Sequence, residues 1–310
     1  MRLIIFTFLL TACGWLPKDH KEHDTVNPID ALRAKRDKVL SLSKTNLDSE
    51  TGWPLDVSCD GLTLTAPYVL AGGPSDWFKA DVNGHLYRDA LHQCGPANGT
   101  STTTGSQDGY ITGALVFWRR HDASPVSDVL NFLASNSNYA GDPHNGTSLV
   151  TSPVVNTYKI MLALLQGQTP PKPVDDPTPY QSGQQLTILT GFRAHLLVWQ
   201  ILDRGVIYGA LNDLEYQLLK DQAERQPRNV FYTAVYNKFT KGDQSQGIAL
   251  LMDESMFPSD QLASNQNKCV PYLWSTDDTP SDWAPCPNAT PQKYTSIDFL
   301  IAASIILGEI

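Results

Sequence analysis

The chain has 310 residues, enough to bury a sizeable core in one large domain or two ordinary ones. Its formal net charge of -9 disfavours a nucleic-acid partner, because phosphate binding requires a surface rich in Lys and Arg. Only 18% of the residues are charged, whereas Gly and Pro number 21 each; this is typical of an exported, loop-rich globular protein and not of a disordered one.

Apolar residues at helical spacing predict a mostly helical, all-α body. Pro28 behind Asn27 opens a helix that runs to about Ser43. The same spacing predicts helices near residues 111–118, 126–133, 154–165, 192–202, 207–218, 229–239, 243–254 and 298–307. Thr178-Pro179 is expected to open the longer helical segment that carries residues 192–202. The last of these is apolar on nearly every side and should be buried. Apolar and polar residues alternate over residues 62–64, which is a weak strand signal. Pro67 is expected to interrupt any helix there.

The extreme N-terminus places Arg2 before the apolar run Leu3–Leu10, which ends in Leu10-Thr11-Ala12-Cys13. This order resembles the lipobox of bacterial lipoproteins. The resemblance implies that residues 1–12 are a signal peptide, that Cys13 is acylated, and that the partner of Cys13 is a lipid membrane. The apolar run is too short for a bilayer span, which needs about 20 residues. An ordinary secretory signal is the nearest alternative, but Thr11-Ala12-Cys13 matches the A-x-A-like cleavage site of such a signal poorly.

Residues 13–26 follow as the acylated cysteine and a polar, charged segment that is best explained as a flexible tether. The resemblance implies a bacterial cell envelope location. The residue after Cys13 is Gly14 and not Asp. In a cell with two membranes, this resembles the lipoproteins that are directed to the outer membrane.

Four cysteines remain after Cys13, namely Cys59, Cys94, Cys269 and Cys286. An even number in an exported chain predicts two disulfides, and three pairings are possible. We favour Cys59 with Cys94 and Cys269 with Cys286, because each pair is close in sequence and lies among Gly- and Pro-rich loops. Four free or buried thiols are the alternative.

Three aspartates precede or begin predicted apolar helices: Asp60, Asp108 and Asp298. A carboxylate there accepts backbone N–H bonds and meets the positive end of the helix dipole. Helix capping is therefore the favoured interpretation for any one of them taken alone.

The stretch from Ser106 to Leu115, ending in Trp118-Arg119-Arg120, resembles an inner helix of the α/α toroids, many of which are glycoside hydrolases or polysaccharide lyases. The resemblance implies a single toroid-like domain over residues 27–310 with long, disulfide-stapled loops. It also implies that the three aspartates converge on one cleft, with Asp108 and Asp60 as the catalytic pair and Asp298 third. Inverting hydrolysis requires two carboxyl groups about 6.5–9.5 Å apart.

A lyase would instead use His or Tyr as the base beside an Arg. His85, Tyr87 and Arg88 suit that role, as does His121 with Arg119 and Arg120. We predict that Trp77, Tyr87 and Arg88 bind substrate, since loop aromatics stack on sugar rings. Such aromatics equally pin long loops onto a core. His195 lies on an apolar stripe with Phe192 and Trp199, which favours a hydrogen-bonded core histidine.

The motifs of nucleotide-binding and zinc-dependent enzymes and of serine hydrolases are missing from the sequence. No cofactor and no metal site are predicted. Two hypotheses follow. In the first, an envelope lipoprotein binds or cleaves a carbohydrate; in the second, a non-catalytic lipoprotein serves as a scaffold or partner-binding module.

Overall fold

The computed structural model describes residues 27–43, 61–75, 78, 80, 83–87, 105–141, 149–178, 191–260 and 297–310, and these contain ten α-helices and no β-strand. The helices are α1 (Pro28–Ser43), α2 (Gly61–Leu70), α3 (Gln107–Arg120), α4 (Ala123–Ser135), α5 (Ser152–Leu165), α6 (Gly191–Tyr208), α7 (Asp213–Arg225), α8 (Val230–Thr240), α9 (Ser245–Met252) and α10 (Ile297–Ile306). The prediction of an all-α protein is confirmed.

Five helices contact one another in a cyclic order. α2 packs on α3, α3 on α6, α6 on α8, α8 on α10, and α10 again on α2. We call these five the ring helices. Among the described residues, α1, α5, α7 and α9 each contact one or two ring helices, while α4 packs mainly on α5.

The C-terminal ends of the ring helices meet at one end of the molecule. Residues from the last turns of α2, α3 and α6 and from just beyond α10 line one cavity there. α8 joins the same end, because Lys238 Nζ donates to the carbonyl of Ile310 at 2.6 Å. Helices that pack side by side with these ends together run parallel, so their first turns lie at the opposite end.

α2 continues through Pro67, where the sequence predicted an interruption. Proline removes a backbone N–H and clashes with the carbonyl four residues earlier. The described side chains of α2, from Thr65 to Leu70, are nevertheless all buried between α3 and α10. The free energy gained by burying this apolar segment exceeds the cost of placing a proline within the helix.

The apolar stripe around residues 207–218 belongs to two helices and not to one. α6 runs past Gly205 and ends at Tyr208, and α7 begins at Asp213. Asn212 caps α7 in a reciprocal capping box with Glu215, which fixes the break. The final helix is confirmed, and its side chains from Asp298 to Ile305 are buried.

Several predicted features lie outside the described residues. They are the signal peptide and tether over residues 1–26, Cys13, Cys59, Asp60, Trp77, Arg88, Cys94, Cys269 and Cys286.

Candidate functional site

Three polar side chains meet near the N-terminal ends of three ring helices. The hydroxyl of Tyr232 on α8 lies 2.9 Å from Nδ1 of His195 on α6. Nε2 of His195 lies 3.6 Å from Oδ1 of Asp298 on α10. All three residues are at most 1% exposed, and we call them the buried triad. His195 is thus confirmed as a hydrogen-bonded core histidine.

The direction of the hydrogen bond between Tyr232 and His195 determines the tautomer of the imidazole. When Tyr232 donates to Nδ1, the proton of the neutral imidazole is on Nε2 and faces Asp298. Nε2 of His195 and Oδ1 of Asp298 are 3.6 Å apart, which is beyond hydrogen-bond distance. Because the Asp298 side chain is fully buried beside His195, it cannot contact a sugar that binds from solution.

Asp108 lies in the first turn of α3 and is half-buried. The helix cap itself is Ser106, whose Oγ accepts the N–H of Asp108 at 3.3 Å. The Asp108 side chain is therefore not the N-cap. It still lies in the first turn, where the helix dipole favours its ionised form.

The structure places Asp108 and the buried triad at the same end of the ring. Asp108, His195 and Asp298 each precede a residue of the opposite cavity, Arg119, Val206 and Glu309, by eleven positions. In α3 and α6 this is about 16 Å of helix at 1.5 Å per residue, whereas α10 ends at Ile306 and Glu309 lies three positions beyond it. The three side chains therefore lie toward the N-terminal end of their helices, opposite the cavity.

Asp108 and Asp298 do not come from neighbouring helices. α2 lies between α3 and α10 on one side of the ring, and α6 and α8 lie between them on the other. Asp298 is joined instead to His195. The proposed partner of Asp108, Asp60, lies outside the described residues.

Tyr87 lies close to the first turn of α3. Its backbone forms an isolated antiparallel bridge with Gly105, three positions before Asp108. Its half-buried ring packs against His85 with ring centroids 4.1 Å apart. His85 is buried, and its Nε2 lies 2.6 Å from the carbonyl of Ala140, so this histidine supports the loop. Tyr87 is the predicted substrate-binding residue that the structure places near Asp108.

A buried carboxyl group on α6 was not predicted to be functional. Asp203 is fully buried, and burial raises its pKa well above the ordinary value, with only partial opposition from the nearby indole N–H of Trp199. Burial likewise raises the pKa of Tyr158 on α5, and the charge of Asp203 adds to that effect. The signal in the sequence was an acid within an apolar helical stripe.

The cavity at the C-terminal ends of the ring helices has a volume of about 220 Å³. Its lining residues are Leu70, Leu115, Trp118, Arg119, His121, Val206, Glu309 and Ile310. It therefore brings together Arg119 and His121 from the alternative lyase group. Arg120 is directed elsewhere, since its guanidinium donates to the carbonyl of Phe78.

Within the described ranges, no three His, Cys, Asp or Glu side chains are grouped closely enough to hold a metal ion. In the same ranges, no helix combines the length and apolar character that crossing a bilayer requires.

Comparison with protein-family models, curated proteins and solved structures yields no significant match to this chain.

Proposed function

We propose that this protein is a membrane-anchored envelope lipoprotein whose helical domain, of the α/α-toroid type, binds a carbohydrate at the N-terminal end of the ring helices. The cyclic order and shared direction of the ring helices support the toroid. The observation that carries the proposal is the grouping at one end of Tyr87, Asp108 and the buried triad. Tyr87 is bridged to Gly105, three positions before Asp108, and an aromatic ring and a carboxylate in one neighbourhood suit a sugar, which offers an apolar ring face and hydroxyl donors.

Cleavage at this end would use Asp108 in the ionised state that the first turn of α3 favours. As a general base, Asp108 would take a proton from water, while a second carboxyl group protonated the leaving oxygen. Asp60 is the residue that we assign to that second role. Asp298 is fully buried and is assigned to positioning His195 instead.

Binding without cleavage is the second candidate function. Its support is that the two described aspartates come from helices that are not neighbours in the ring and that one of them is covered. A scaffold or partner-binding module of the envelope requires no carboxyl pair at all.

A polysaccharide panel separates these possibilities. The protein is incubated with each polymer and assayed for new reducing ends, for unsaturated uronates and for retention on immobilised polymer. Asp108→Asn is compared with Asp128→Asn, a matched change at an exposed aspartate on α4. Hydrolysis is supported when Asp108→Asn alone loses activity by at least about a hundredfold.

Retention without turnover that weakens in Tyr87→Ala supports the binding function. If the protein shows neither turnover of nor retention on any polymer, the carbohydrate proposal is excluded and the scaffold function remains. Activity that is unchanged in Asp108→Asn removes Asp108 from the mechanism.

The anchor is tested separately from the carbohydrate. Cells fed an alkyne analogue of palmitate should label the wild-type protein and leave Cys13→Ala unlabelled, with the variant released from the membrane fraction. Labelling that persists in Cys13→Ala, or a wild-type protein that takes up no label, would contradict the lipoprotein proposal.

A further inference from the structure

The cavity at the C-terminal ends of the ring helices is separate from the proposed carbohydrate end. Four of its lining residues are aliphatic, namely Leu70, Leu115, Val206 and Ile310. Its volume of about 220 Å³ is below the range of about 300–1,000 Å³ that drug-sized ligands occupy. The size fits one short branched chain or one ring and not an oligosaccharide.

The positively charged Arg119 is among the residues that line this cavity. Arg119 is exposed, and its Nη1 donates to the carbonyl of Leu70 at the end of α2. A guanidinium has five N–H donors, so donors remain for an anionic group of a ligand. Arginine matches the planar geometry of a carboxylate particularly well.

The carboxylate residue Glu309 also lines this cavity. Glu309 is held by Arg36, whose Nη2 donates to Oε1 at 3.0 Å and whose Nη1 donates to Oε2. Each carboxylate oxygen has a second lone pair, so Glu309 can accept from a ligand while it remains paired. The helix ends around it carry negative partial charge, which favours a small cation.

We propose that this cavity binds a free zwitterionic α-amino acid with an apolar side chain. The ligand carboxylate pairs with Arg119, the ammonium group faces Glu309 and the helix ends, and the side chain fills the aliphatic interior. A fatty acid would offer no donor to the remaining lone pairs of Glu309, which Arg36 already pairs, and an amine would leave Arg119 without an anion. A sugar would bury hydroxyl groups against aliphatic walls that offer no hydrogen bonds. The site is independent of the proposed carbohydrate function.

Isothermal titration of the purified protein with L-leucine tests the proposal. Three compounds each remove one feature of the ligand: glycine lacks the side chain, 4-methylpentanoate lacks the ammonium group, and isoamylamine lacks the carboxylate. We expect saturable binding of L-leucine and at least about tenfold weaker binding of each analogue. A change in tryptophan fluorescence that is lost in Trp118→Phe provides a local readout, because Trp118 lines the cavity and the chain has seven tryptophans.

Variants assign the contacts. Arg119→Gln should weaken leucine binding at least about tenfold and leave isoamylamine unaffected, because only leucine carries the carboxylate. Val206→Phe should fill the cavity and abolish binding. Arg33→Gln is the matched control, since Arg33 is exposed on α1 and pairs only locally with Asp30.

The proposal is overturned if neither L-leucine nor L-phenylalanine binds, if 4-methylpentanoate or isoamylamine binds as tightly as leucine, or if folded Arg119→Gln retains wild-type affinity. Circular dichroism establishes that each variant is folded. If Arg119→Gln does not fold, the analogue series on the wild-type protein decides the question alone.

Discussion

The hydroxyl of Tyr232 on α8 and Nδ1 of His195 on α6 are 2.9 Å apart in a site that solvent does not reach. This contact links two ring helices near their first turns, and Asp298 of α10 lies near the other nitrogen of the same imidazole, with Oδ1 3.6 Å from Nε2. Three helices that are distant in sequence are therefore joined at the end where we place carbohydrate binding.

We predict that Tyr232→Phe lowers the free energy of unfolding by about 1–2 kcal/mol, because it removes the hydroxyl and keeps the ring. Urea denaturation followed by circular dichroism measures the change. Tyr216→Phe is the control, since Tyr216 is 38% exposed and its change should stay below about 0.5 kcal/mol. Equal effects of the two substitutions would show that the contact with His195 contributes nothing to stability.

Asp203→Asn should raise the stability of the protein at neutral pH relative to the wild type. Burial raises the pKa of folded Asp203 above its unfolded value, which is about 3.9. The favourable contribution of the neutral carboxyl group is therefore complete below pH 4. It is lost as the pH rises toward the folded pKa, by at most about 1.4 kcal/mol per pH unit. Asparagine does not ionise and escapes this loss.

Urea titrations at intervals from pH 4 to pH 8 measure this difference. The advantage of Asp203→Asn over the wild type should grow with pH, whereas Asp128→Asn, at an exposed position, should follow the wild-type curve. A wild type and Asp203→Asn with parallel pH profiles would mean that burial does not keep Asp203 neutral.

Local signals in the sequence predicted much of this fold. Helix periodicity located the apolar faces, and the capping preference placed Asp108 and Asp298 near helix N-termini, although Ser106 and not Asp108 caps α3. The same reasoning made His195 a core residue. These features depend on neighbours within one helix, which the sequence displays directly.

Features that depend on contacts between distant helices were not predictable in this way. Periodicity shows that a face is apolar but not which helix covers it, so the cyclic order of the ring helices and the cavity at their C-terminal ends stayed hidden. Pro67 was misjudged because its local penalty is visible in the sequence, while the packing of α2 against α3 and α10 is not.

Arg204→Met should lower the free energy of unfolding by about 3–5 kcal/mol. Nε of Arg204 lies 2.8 Å from Oε1 of Glu215, and both side chains are at most 3% exposed. Removing the arginine leaves a buried carboxylate without its cation, which is the costly way to break such a pair. Adding Glu215→Gln should recover part of the loss, because the neutral amide can still accept the backbone N–H of Asn212.

Chemical denaturation of the wild type, both single variants and the double variant gives the coupling energy of this pair. Lys220→Met is the control, since Lys220 lies 3.7 Å from Glu224 in an exposed pair worth less than about 0.5 kcal/mol. A double variant that loses as much as the sum of the single variants would contradict the coupling.

Gly113→Ala should destabilise the protein by about 1–3 kcal/mol, although alanine is the better helix former by about 1 kcal/mol. A Cβ atom at position 113 would lie 2.5 Å from Cζ of Phe78, and the hydroxyl of Tyr158 lies 3.4 Å away. Phe78 is itself buried against Phe117, so its ring has little room to move. The absence of a side chain on α3 is what admits this ring.

The double variant Gly113→Ala/Phe78→Leu distinguishes a clash from a general loss of helix stability. Leucine lacks the outer ring atoms that a Cβ would meet, so Gly113→Ala should cost less in the Phe78→Leu background than in the wild type. Thermal and urea unfolding of the four proteins measure this difference. If the cost of Gly113→Ala is the same in both backgrounds, close packing against Phe78 is not the reason for glycine at this position.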